Sequence, residues 1–480
     1  MNKTNSIRLR IVHTNDIHSR FEAMPAIASI VDSLRSEAGA ERTLTLDIGD
    51  HIDRMWPATE GTRGRANIAV MNATGYDAVT IGNNEGLTYS SEVLSELYGR
   101  HAEFAVVLDN MREAQSGEVP AWAKPAHIIE KAGVRFGLIG VTARFTDFYR
   151  LLGWDIEDPF EAVRLAVEAL QPQTDLIIVM SHLGLRNDER LAAEVPGIDL
   201  ILGGHTHHLL EQPLLIGDTH ICAAGKFGQY VGVVDVDWDP QSRLRAGLTA
   251  RVIPAAEAPQ MTAVKQLIER FAGEAAEVLD QEAVRLSDAI AVDWYEESPL
   301  GNLLAAGLRR RTGAEIGLVN AGQLLKGLPA GAISAGMLLE LCPSPINPCR
   351  LKLTGAQLIQ ALEESLLPEF QEKPIYGFGF RGKVLGSLSV DGMEIEYEPQ
   401  GEPYHKVRSI RVGAEHLVPE REYTVGMIDM FTFGIGYMSL SQGTKIEYFL
   451  PEFLRDVLLR ELKSPQAIVE SRAKRYTKLL

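Results

Sequence analysis

The sequence is poor in cysteine and has no long apolar run. Only three of its 480 residues are cysteines. Cys342 and Cys349 are close enough in sequence to pair, but free thiols are expected in a cytoplasmic protein. No segment approaches the ~20 apolar residues of a membrane span, and the first residues lack the apolar stretch of a signal peptide. These absences predict a cytoplasmic protein with no membrane partner.

Positive charge is also scarce. Lysine and arginine number 47 against 64 acidic residues, which leaves a net charge of −17. This balance argues against nucleic acid as a partner, because a phosphate backbone attracts basic surfaces. An anionic substrate would need local positive charge, which two bound divalent cations can supply. The length predicts two or three domains, and an apolar content of 45% is typical of a globular protein.

Short apolar runs in the first half of the chain each end in polar residues. Because sites in open α/β sheets form beyond the carboxyl ends of strands, these ends are expected to meet. Helical patterns such as Met24 to Ala38 and Pro159 to Leu170 separate several of the runs. The run ends are Asn15-Asp16-Ile17-His18, Gly49-Asp50, Gly82-Asn83, Ser181-His182 and Gly204-His205-Thr206-His207.

The side chains at these run ends are those of a divalent metal site. Asp, His and Asn are hard or borderline ligands for ions such as Mn²⁺, Zn²⁺ and Mg²⁺. An Asp-x-His pair can hold one ion, and two histidines separated by one residue can serve different ions. Asp50 can bridge two ions, a geometry that clamps a phosphoryl group and generates hydroxide from water at neutral pH. Each motif alone is weak, since Gly-Asp is mostly a turn, but their joint occurrence predicts a two-metal centre.

The pattern of apolar and polar residues changes after residue 255. Met261 to Leu279 has the spacing of one long amphipathic helix. A second α/β pattern begins near Ile290, with a helix predicted at Pro299 to Arg310 and a strand at Glu315 to Val319. We therefore divide the chain into a first domain at 1–255, a linker helix at 256–285 and a second domain at 286–480.

The ordered motifs resemble the bacterial 5′-nucleotidase/UDP-sugar hydrolase family of calcineurin-like metallophosphoesterases. The resemblance covers the first half through the series from Val12-His13-Thr14-Asn15-Asp16 to Gly203-Gly204-His205-Thr206-His207. It extends more weakly through Pro299-Leu300-Gly301-Asn302 and Leu318-Val319-Asn320-Ala321-Gly322. It implies a four-layer α/β/β/α metallophosphoesterase domain followed by a smaller α/β 5′-nucleotidase C-terminal domain that binds substrate.

The resemblance also implies how the ligands divide between two metal ions of unspecified identity. Asp50 would be common to both ions. The first ion would take Asp16, His18, Asp50 and His207, and the second would take Asp50, Asn83, His182 and His205.

The chain departs from the family where the general acid usually stands. Family members commonly read Gly-Asn-His-Glu or Gly-Asn-His-Asp, with a further Asp that pairs with the His. Here Asn84 occupies the His position and Leu87 the Asp position. A positioned acid contributes ~10²–10⁴-fold, mostly for poor leaving groups. The change therefore favours cleavage of phosphate anhydrides, and Asn84 is expected to donate a hydrogen bond to the phosphoryl group instead.

The second domain departs as well. The family's phosphate-gripping Arg is missing from Asn320-Ala321-Gly322-Gln323-Leu324-Leu325. Phe380 is predicted to stack on a base and Arg381 to meet a phosphate, with a core Phe beside a surface Arg as the alternative. Tyr437 is predicted as the second face of the stacking clamp.

These observations favour a cytoplasmic two-metal hydrolase of phosphate esters or anhydrides in nucleotides, acting in nucleotide catabolism. A metal-activated hydroxide would attack phosphorus, Asp50 would hold both ions, and Asn83 and Asn84 would contact the phosphoryl oxygens. One alternative is a phosphodiesterase or pyrophosphatase of another metabolite. Another is a nucleotide-binding protein with reduced catalysis. The sequence leaves the oligomeric state open.

Overall fold

The protein is described by a computed structural model that covers residues 6–479. The chain divides after Ala275 into two compact units, called unit 1 and unit 2 below. None of the helices within residues 6–479 combines the length and the apolar character needed to cross a bilayer.

Unit 1 contains two large mixed sheets and a small strand pair. Its strands are β1 (Ile7–Thr14), β2 (Thr43–Asp47), β3 (Ala78–Val79), β4 (Ala105–Val106), β5 (Met111–Glu113), β6 (Ala126–Lys131), β7 (Val134–Thr142), β8 (Trp154–Ile156), β9 (Leu176–His182), β10 (Leu200–Gly203), β11 (Leu214–Ile216), β12 (Thr219–Cys222), β13 (Tyr230–Asp239) and β14 (Leu244–Pro254).

Helices connect these strands, and the last of them crosses the unit boundary. They are α1 (Met24–Ala38), α2 (Pro57–Gly61), α3 (Arg65–Thr74), α4 (Asn83–Thr88), α5 (Ser91–Glu96), α6 (Thr146–Leu151), α7 (Pro159–Leu170), α8 (Leu185–Glu194) and α9 (Thr262–Leu279).

The two large sheets of unit 1 pack face to face. One has the order β14-β13-β1-β2-β3-β4 and the other has the order β11-β12-β10-β9-β7-β6. Alternate residues explain the layering: Leu9 and Ile11 of β1 point into the core between the sheets, whereas Val12 packs on the outer side with α1. Helices α7 and α8 cover the outer face of the other sheet. Unit 1 is therefore an α/β/β/α sandwich.

Parallel pairing brings the functional strand ends together. Strands β1, β2 and β3 are parallel neighbours in one sheet, and β9 and β10 are parallel neighbours in the other. Parallel neighbours finish at the same edge of a sheet, so the polar residues that follow them share that edge.

Unit 2 is a separate α/β body. A five-stranded sheet runs in the order β19-β16-β23-β18-β24, and a four-stranded sheet runs in the order β22-β21-β20-β25. Its strands are β15 (Glu282–Leu286), β16 (Ile316–Asn320), β17 (Gly331–Ser334), β18 (Pro348–Thr354), β19 (Leu388–Asp391), β20 (Met393–Tyr397), β21 (Val407–Val412), β22 (Glu415–His416), β23 (Glu422–Ile428), β24 (Thr444–Tyr448) and β25 (Tyr476–Lys478). Its helices are α10 (Pro299–Thr312), α11 (Ala335–Leu341), α12 (Gly355–Ser365), α13 (Pro368–Gln371), α14 (Leu454–Leu462) and α15 (Pro465–Ser471).

Several predicted elements are confirmed nearly to the residue. Helices α1 and α7 occupy the predicted ranges, and α9 begins one residue later than predicted. Strand β16 begins and ends one residue later than the predicted strand. Cys222, Cys342 and Cys349 are all buried and free, as expected.

The buried His13 gives unit 1 a specific sensitivity to acid. Its ring lies against Gly232, where a Cβ atom would approach Nε2 to 2.0 Å, and burial lowers the pKa of His13 from 6.5 to about 4. Between pH 6.5 and pH 4, His13 is therefore protonated in the unfolded chain and neutral in the folded chain. The free energy of unfolding consequently falls as the pH falls toward 4.

We expect His13→Leu to remove this loss. Between pH 7 and pH 5 the variant should lose about 2 kcal/mol less stability than the wild type. Urea unfolding at the two pH values measures the difference, with the exposed His101→Leu as the control. Equal losses in the wild type and His13→Leu would contradict the assignment.

Candidate metal centre

Six of the seven predicted metal ligands form two clusters at one edge of unit 1, and the seventh, Asn83, precedes Asn84, whose backbone N–H donates to Asp50. Asp16 and His18 follow β1, Asp50 follows β2, Asn83 begins α4, His182 ends β9, and His205 and His207 follow β10. Their carboxylate oxygens and imidazole nitrogens form two clusters, each with ligand atoms within 4.8 Å of one another. The members of the clusters are Asp16, His18 and His207 in the first, and Asp50, His182 and His205 in the second.

The first cluster is built around Asp16. Its Oδ1 lies 3.9 Å from His18 Nε2 and 3.5 Å from His207 Nε2. The two Nε2 atoms are 3.1 Å apart. The backbone N–H of His205 and the amide of Asn15 both donate to Asp16, which fixes the direction of its carboxylate.

The second cluster is built around Asp50. Its Oδ1 lies 3.4 Å from His182 Nε2, and its Oδ2 lies 3.8 Å from His18 Nε2. The carboxylate therefore faces a histidine of each cluster. The Nδ1 atom of His182 is 2.8 Å from the carbonyl oxygen of Ile48, which directs Nε2 toward Asp50. A ligand histidine is usually oriented in this way through its second nitrogen.

The donor set fits a pair of divalent cations. Among the described residues, Asn83 Oδ1 and His182 Nε2 are buried and have no hydrogen-bond partner. Buried polar atoms are rarely left unsatisfied, because desolvation without a partner costs about 1–3 kcal/mol. Clusters of one carboxylate and two imidazoles suit divalent cations such as Zn²⁺ and Mn²⁺.

The backbone at the ligands is strained. Five of the seven have positive φ angles, a conformation that costs non-glycine residues of order 1–3 kcal/mol each. Strain concentrated in this way is typical of functional sites. The angles are 52° at Asp16, 50° at His18, 51° at Asp50, 72° at His205 and 60° at His207.

Two glycines allow the loops after β2 and β3 to touch. A Cβ atom on Gly82 would lie 2.0 Å from Asp50 Oδ1, and one on Gly49, which has φ 89°, would lie 2.5 Å from the backbone nitrogen of Gly82. No side chain fits at either position. The requirement explains why glycine precedes both Asp50 and Asn83.

Glu85 is a site residue that the sequence analysis missed. Its buried carboxylate accepts hydrogen bonds from the backbone N–H groups of Asp50, Ile52 and Gly82 at 3.1, 2.8 and 2.9 Å. Burial, followed by the nearby Asp50, raises the pKa of Glu85 to about 7. Its position three residues after Gly82 matches that of a helix-capping carboxylate, which was the available signal.

Electrostatics in the centre depend on the Asp50–His182 pair. Burial disfavours the charged form of His182, but Asp50 outweighs it and raises the pKa of His182 to about 10. Burial also opposes ionisation of Asp50, yet His182 lowers its pKa. Burial lowers the pKa of His205 to about 4 and that of His207 to about 3, so both rings are neutral at pH 7. Cation binding would displace the proton on His182.

Asn84 sits beside the first cluster. Its backbone N–H donates to Asp50 Oδ1 at 2.8 Å, and its side-chain amide lies 2.8 Å from His18 Nδ1. The Asn84 atom closest to His18 is Nδ2, and Asn84 Oδ1 accepts a hydrogen bond from Asn83 Nδ2 at 3.5 Å.

The predicted stacking rings are not where the sequence analysis expected them. Phe380 and Tyr437 are 4% and 0% exposed. The Tyr437 hydroxyl donates to the carbonyl of Gly386 and its ring stacks on Phe370 at 6.1 Å, so neither predicted ring offers a face to a base. The core alternative holds for Phe380. Arg381 is half-buried, and its backbone N–H donates to Ser344.

A different pair of rings is exposed in unit 2. Phe378 and Phe433 are 52% and 41% exposed, and their ring centroids are 5.8 Å apart. They lie two and four residues from the rings chosen from the sequence. Because loop exposure follows no fixed period, spacing alone could not separate Phe378 from Phe380.

Both halves of the chain match known protein families. Residues 9–209 match the calcineurin-like phosphoesterase family, and residues 276–441 match the 5′-nucleotidase C-terminal domain. A Bacillus subtilis protein described as the uncharacterized metallophosphoesterase YunD is 37% identical over 459 residues, which cover 95% of this chain and 99% of that protein. The chain belongs to the 5′-nucleotidase family of calcineurin-like metallophosphoesterases. It is a metal-dependent phosphoester hydrolase by family.

More distant members of the 5′-nucleotidase family share the architecture. A Vibrio cholerae 5′-nucleotidase is 25% identical over 400 residues, covering 70% of this chain and 71% of that protein. The crystal structure of a 5′-nucleotidase precursor from Thermus thermophilus superimposes with a TM-score of 0.61 at 23% identity, covering 95% of this chain and 96% of that one. The two-domain α/β fold implied by the sequence resemblance is thereby confirmed.

Substitution of the shared carboxylate should disrupt metal binding by this family member. We expect Asp50→Asn to reduce bound metal from two ions to one or none per chain, because the amide keeps the shape and loses the charge between the clusters. Activity should fall roughly 10³-fold, since loss of metal removes several kcal/mol of transition-state stabilisation.

Elemental analysis of the purified variant measures the metal content. Asp109→Asn, which alters a buried carboxylate of unit 1 outside the two clusters, is the matched control. Retention of two ions by Asp50→Asn would show that this carboxylate is not the common ligand.

Proposed function

We propose that the protein is a two-metal hydrolase of nucleotides that prefers phosphate anhydrides to phosphate monoesters. One observation carries the proposal: two candidate metal-binding clusters lie next to Asn84, a side chain that cannot act as a general acid. The Vibrio relative named a 5′-nucleotidase supports nucleotides as the substrate class.

The chain's own residues prepare the phosphoryl group for attack by water. When bound, the two cations would polarise that water and neutralise the phosphoryl oxygens. Asp50, whose carboxylate accepts a hydrogen bond from the backbone N–H of Asn84, would hold both ions. The Asn84 amide, which has two N–H bonds, would donate to a phosphoryl oxygen where negative charge accumulates.

Asn84 decides which leaving groups are favoured. An amide cannot protonate a departing oxygen, and Leu87 offers no carboxylate to assist it. A nucleoside hydroxyl needs such a proton, whereas a phosphate or nucleoside monophosphate leaves as a stable anion. We therefore expect ADP or a UDP-sugar to turn over faster than AMP in the presence of added Mn²⁺, with chelator abolishing activity. Faster turnover of AMP would reject the anhydride preference.

Introducing a general acid at position 84 tests whether its absence limits the hydrolysis of monoesters. We expect Asn84→His combined with Leu87→Asp to raise the turnover of AMP by about 10²-fold, because a positioned imidazole can protonate the leaving oxygen. Steady-state kinetics on AMP and ADP measure the change, with Leu87→Asp alone as the control. An unchanged AMP rate in a variant that still hydrolyses ADP would show that the acid is not the limiting element.

The exposed pair Phe378 and Phe433 is the proposed base-binding surface of unit 2. Stacking on aromatic rings is worth about 0.5–1.5 kcal/mol per pair. We expect Phe378→Ala or Phe433→Ala to raise the KM for a nucleoside diphosphate several-fold and to leave the KM for pyrophosphate unchanged. Tyr376→Ala, which alters a neighbouring ring that is 82% exposed, is the control. An equal rise in KM for both substrates would show that this surface does not bind the base.

We also propose a cytoplasmic location and a role in nucleotide catabolism. Three free, buried cysteines support the location, because thiols persist in a reducing compartment. Cell fractionation with an antibody to the chain tests it, and recovery from the extracellular fraction would contradict it.

A further inference from the structure

Two cationic side chains flank the metal centre and take no part in it. Arg20 follows the ligand His18 by two residues, and Lys226 lies in the loop after β12. The Arg20 guanidinium carbon is 4.8 Å from the centroid of the Phe227 ring, and Lys226 Nζ is 4.7 Å from it.

The Phe227 ring joins these cations to the metal ligands. Its centroid lies 5.6 Å from that of His18 and 6.2 Å from that of His207. Its backbone N–H donates to the carbonyl oxygen of Asp16 at 2.7 Å, and its φ is 61°, as strained as the ligands themselves. One phenyl ring therefore contacts both cations and two residues of the first ligand cluster.

Within residues 6–479, neither cation forms an ion pair with a buried carboxylate. The one carboxylate paired with Arg20 in this range is that of the exposed Glu22, 3.3 Å away, and an ion pair in water of this kind is weak. Its guanidinium instead packs between Phe227 and Trp56, 4.6 Å from the Trp56 ring, which restricts its motion. Lys226 is half-buried and contacts no carboxylate among the described residues. The chain has a net charge of −17. Two cationic side chains without a buried counter-ion beside a candidate phosphate-binding centre therefore point to an anionic ligand.

We infer that Arg20 and Lys226 form an anion subsite for the second phosphoryl group of a diphosphate whose terminal phosphoryl group lies at the metal centre. This inference rests on the proposed function and names the group that the site holds beyond the reacting phosphorus. The shared chemistry is a phosphoryl group joined to the reacting one through a bridging oxygen, as in pyrophosphate or a nucleoside diphosphate.

The subsite matters most in the hydrolytic step. The oxygen of water bonds to the terminal phosphorus, the bond from that phosphorus to the bridging oxygen breaks, and the electron pair leaves with the bridging oxygen. Negative charge thus grows on the retained phosphoryl group, where Arg20 and Lys226 stabilise it. The proton that the phosphate products do not keep passes to solvent. The subsite thereby compensates for the acid that Asn84 cannot supply.

The variants Arg20→Gln and Lys226→Gln test the assignment. Each should lower kcat/KM for ADP and for pyrophosphate roughly tenfold, because a hydrogen bond to a charged group is lost, and leave p-nitrophenyl phosphate within about twofold. Arg190→Gln is the matched control, since Arg190 also lies over a ring, 4.3 Å from the centroid of Phe160, but is remote from the cluster on α8. An equal loss on all three substrates, or on none, would overturn the inference.

A loss on ADP without a loss on pyrophosphate would place the cations against the nucleoside and would also overturn it. Binding supplies a second readout. Titration calorimetry of the Mn²⁺-loaded enzyme should show about tenfold weaker binding of the α,β-methylene analogue of ADP to either variant, and unchanged binding of AMP. The binding ratio remains decisive if the wild type hydrolyses none of these compounds, a result that would reject the proposed function alone.

Discussion

The Asp50 carboxylate is the point on which the metal centre depends. It faces His18 in one cluster and His182 in the other, so this buried carboxylate lies between the two ligand sets. Such a charge is costly to bury unless cations balance it. Without metal cations, the protonated His182 ring balances the charge of Asp50, and the pKa of His182 is raised for this reason. The buried negative charge of the site therefore favours the binding of cations.

Backbone geometry, more than side-chain packing, holds Asp50 in place. Glu85 accepts N–H groups from the loops after β2 and β3, and Gly49 and Gly82 let those loops approach without a Cβ atom between them. The left-handed conformations at five ligands store strain that the two packed sheets must absorb. The packed sheets therefore hold the loop residues in backbone conformations that the loops alone would not adopt.

Much of this arrangement could be predicted from the sequence because it follows strand topology. Parallel strands finish at one edge of their sheet, so the residues after β1, β2 and β3 were expected to lie near each other, as were those after β9 and β10. Loop details could not be predicted in the same way. Phe378 and Phe380 are chemically identical and only the fold exposes one of them. Left-handed φ angles were invisible as well, since they occur at Asp and His rather than at Gly.

The spread of the ligands along the chain has a consequence for biosynthesis. The second cluster cannot be complete before His205 has left the ribosome, and the first cannot be complete before His207 has left it. Because β9 and β10 belong to a different sheet from β1 and β2, a shorter nascent chain has only part of each cluster. The ligand clusters can therefore form only after strands of both sheets have been synthesised.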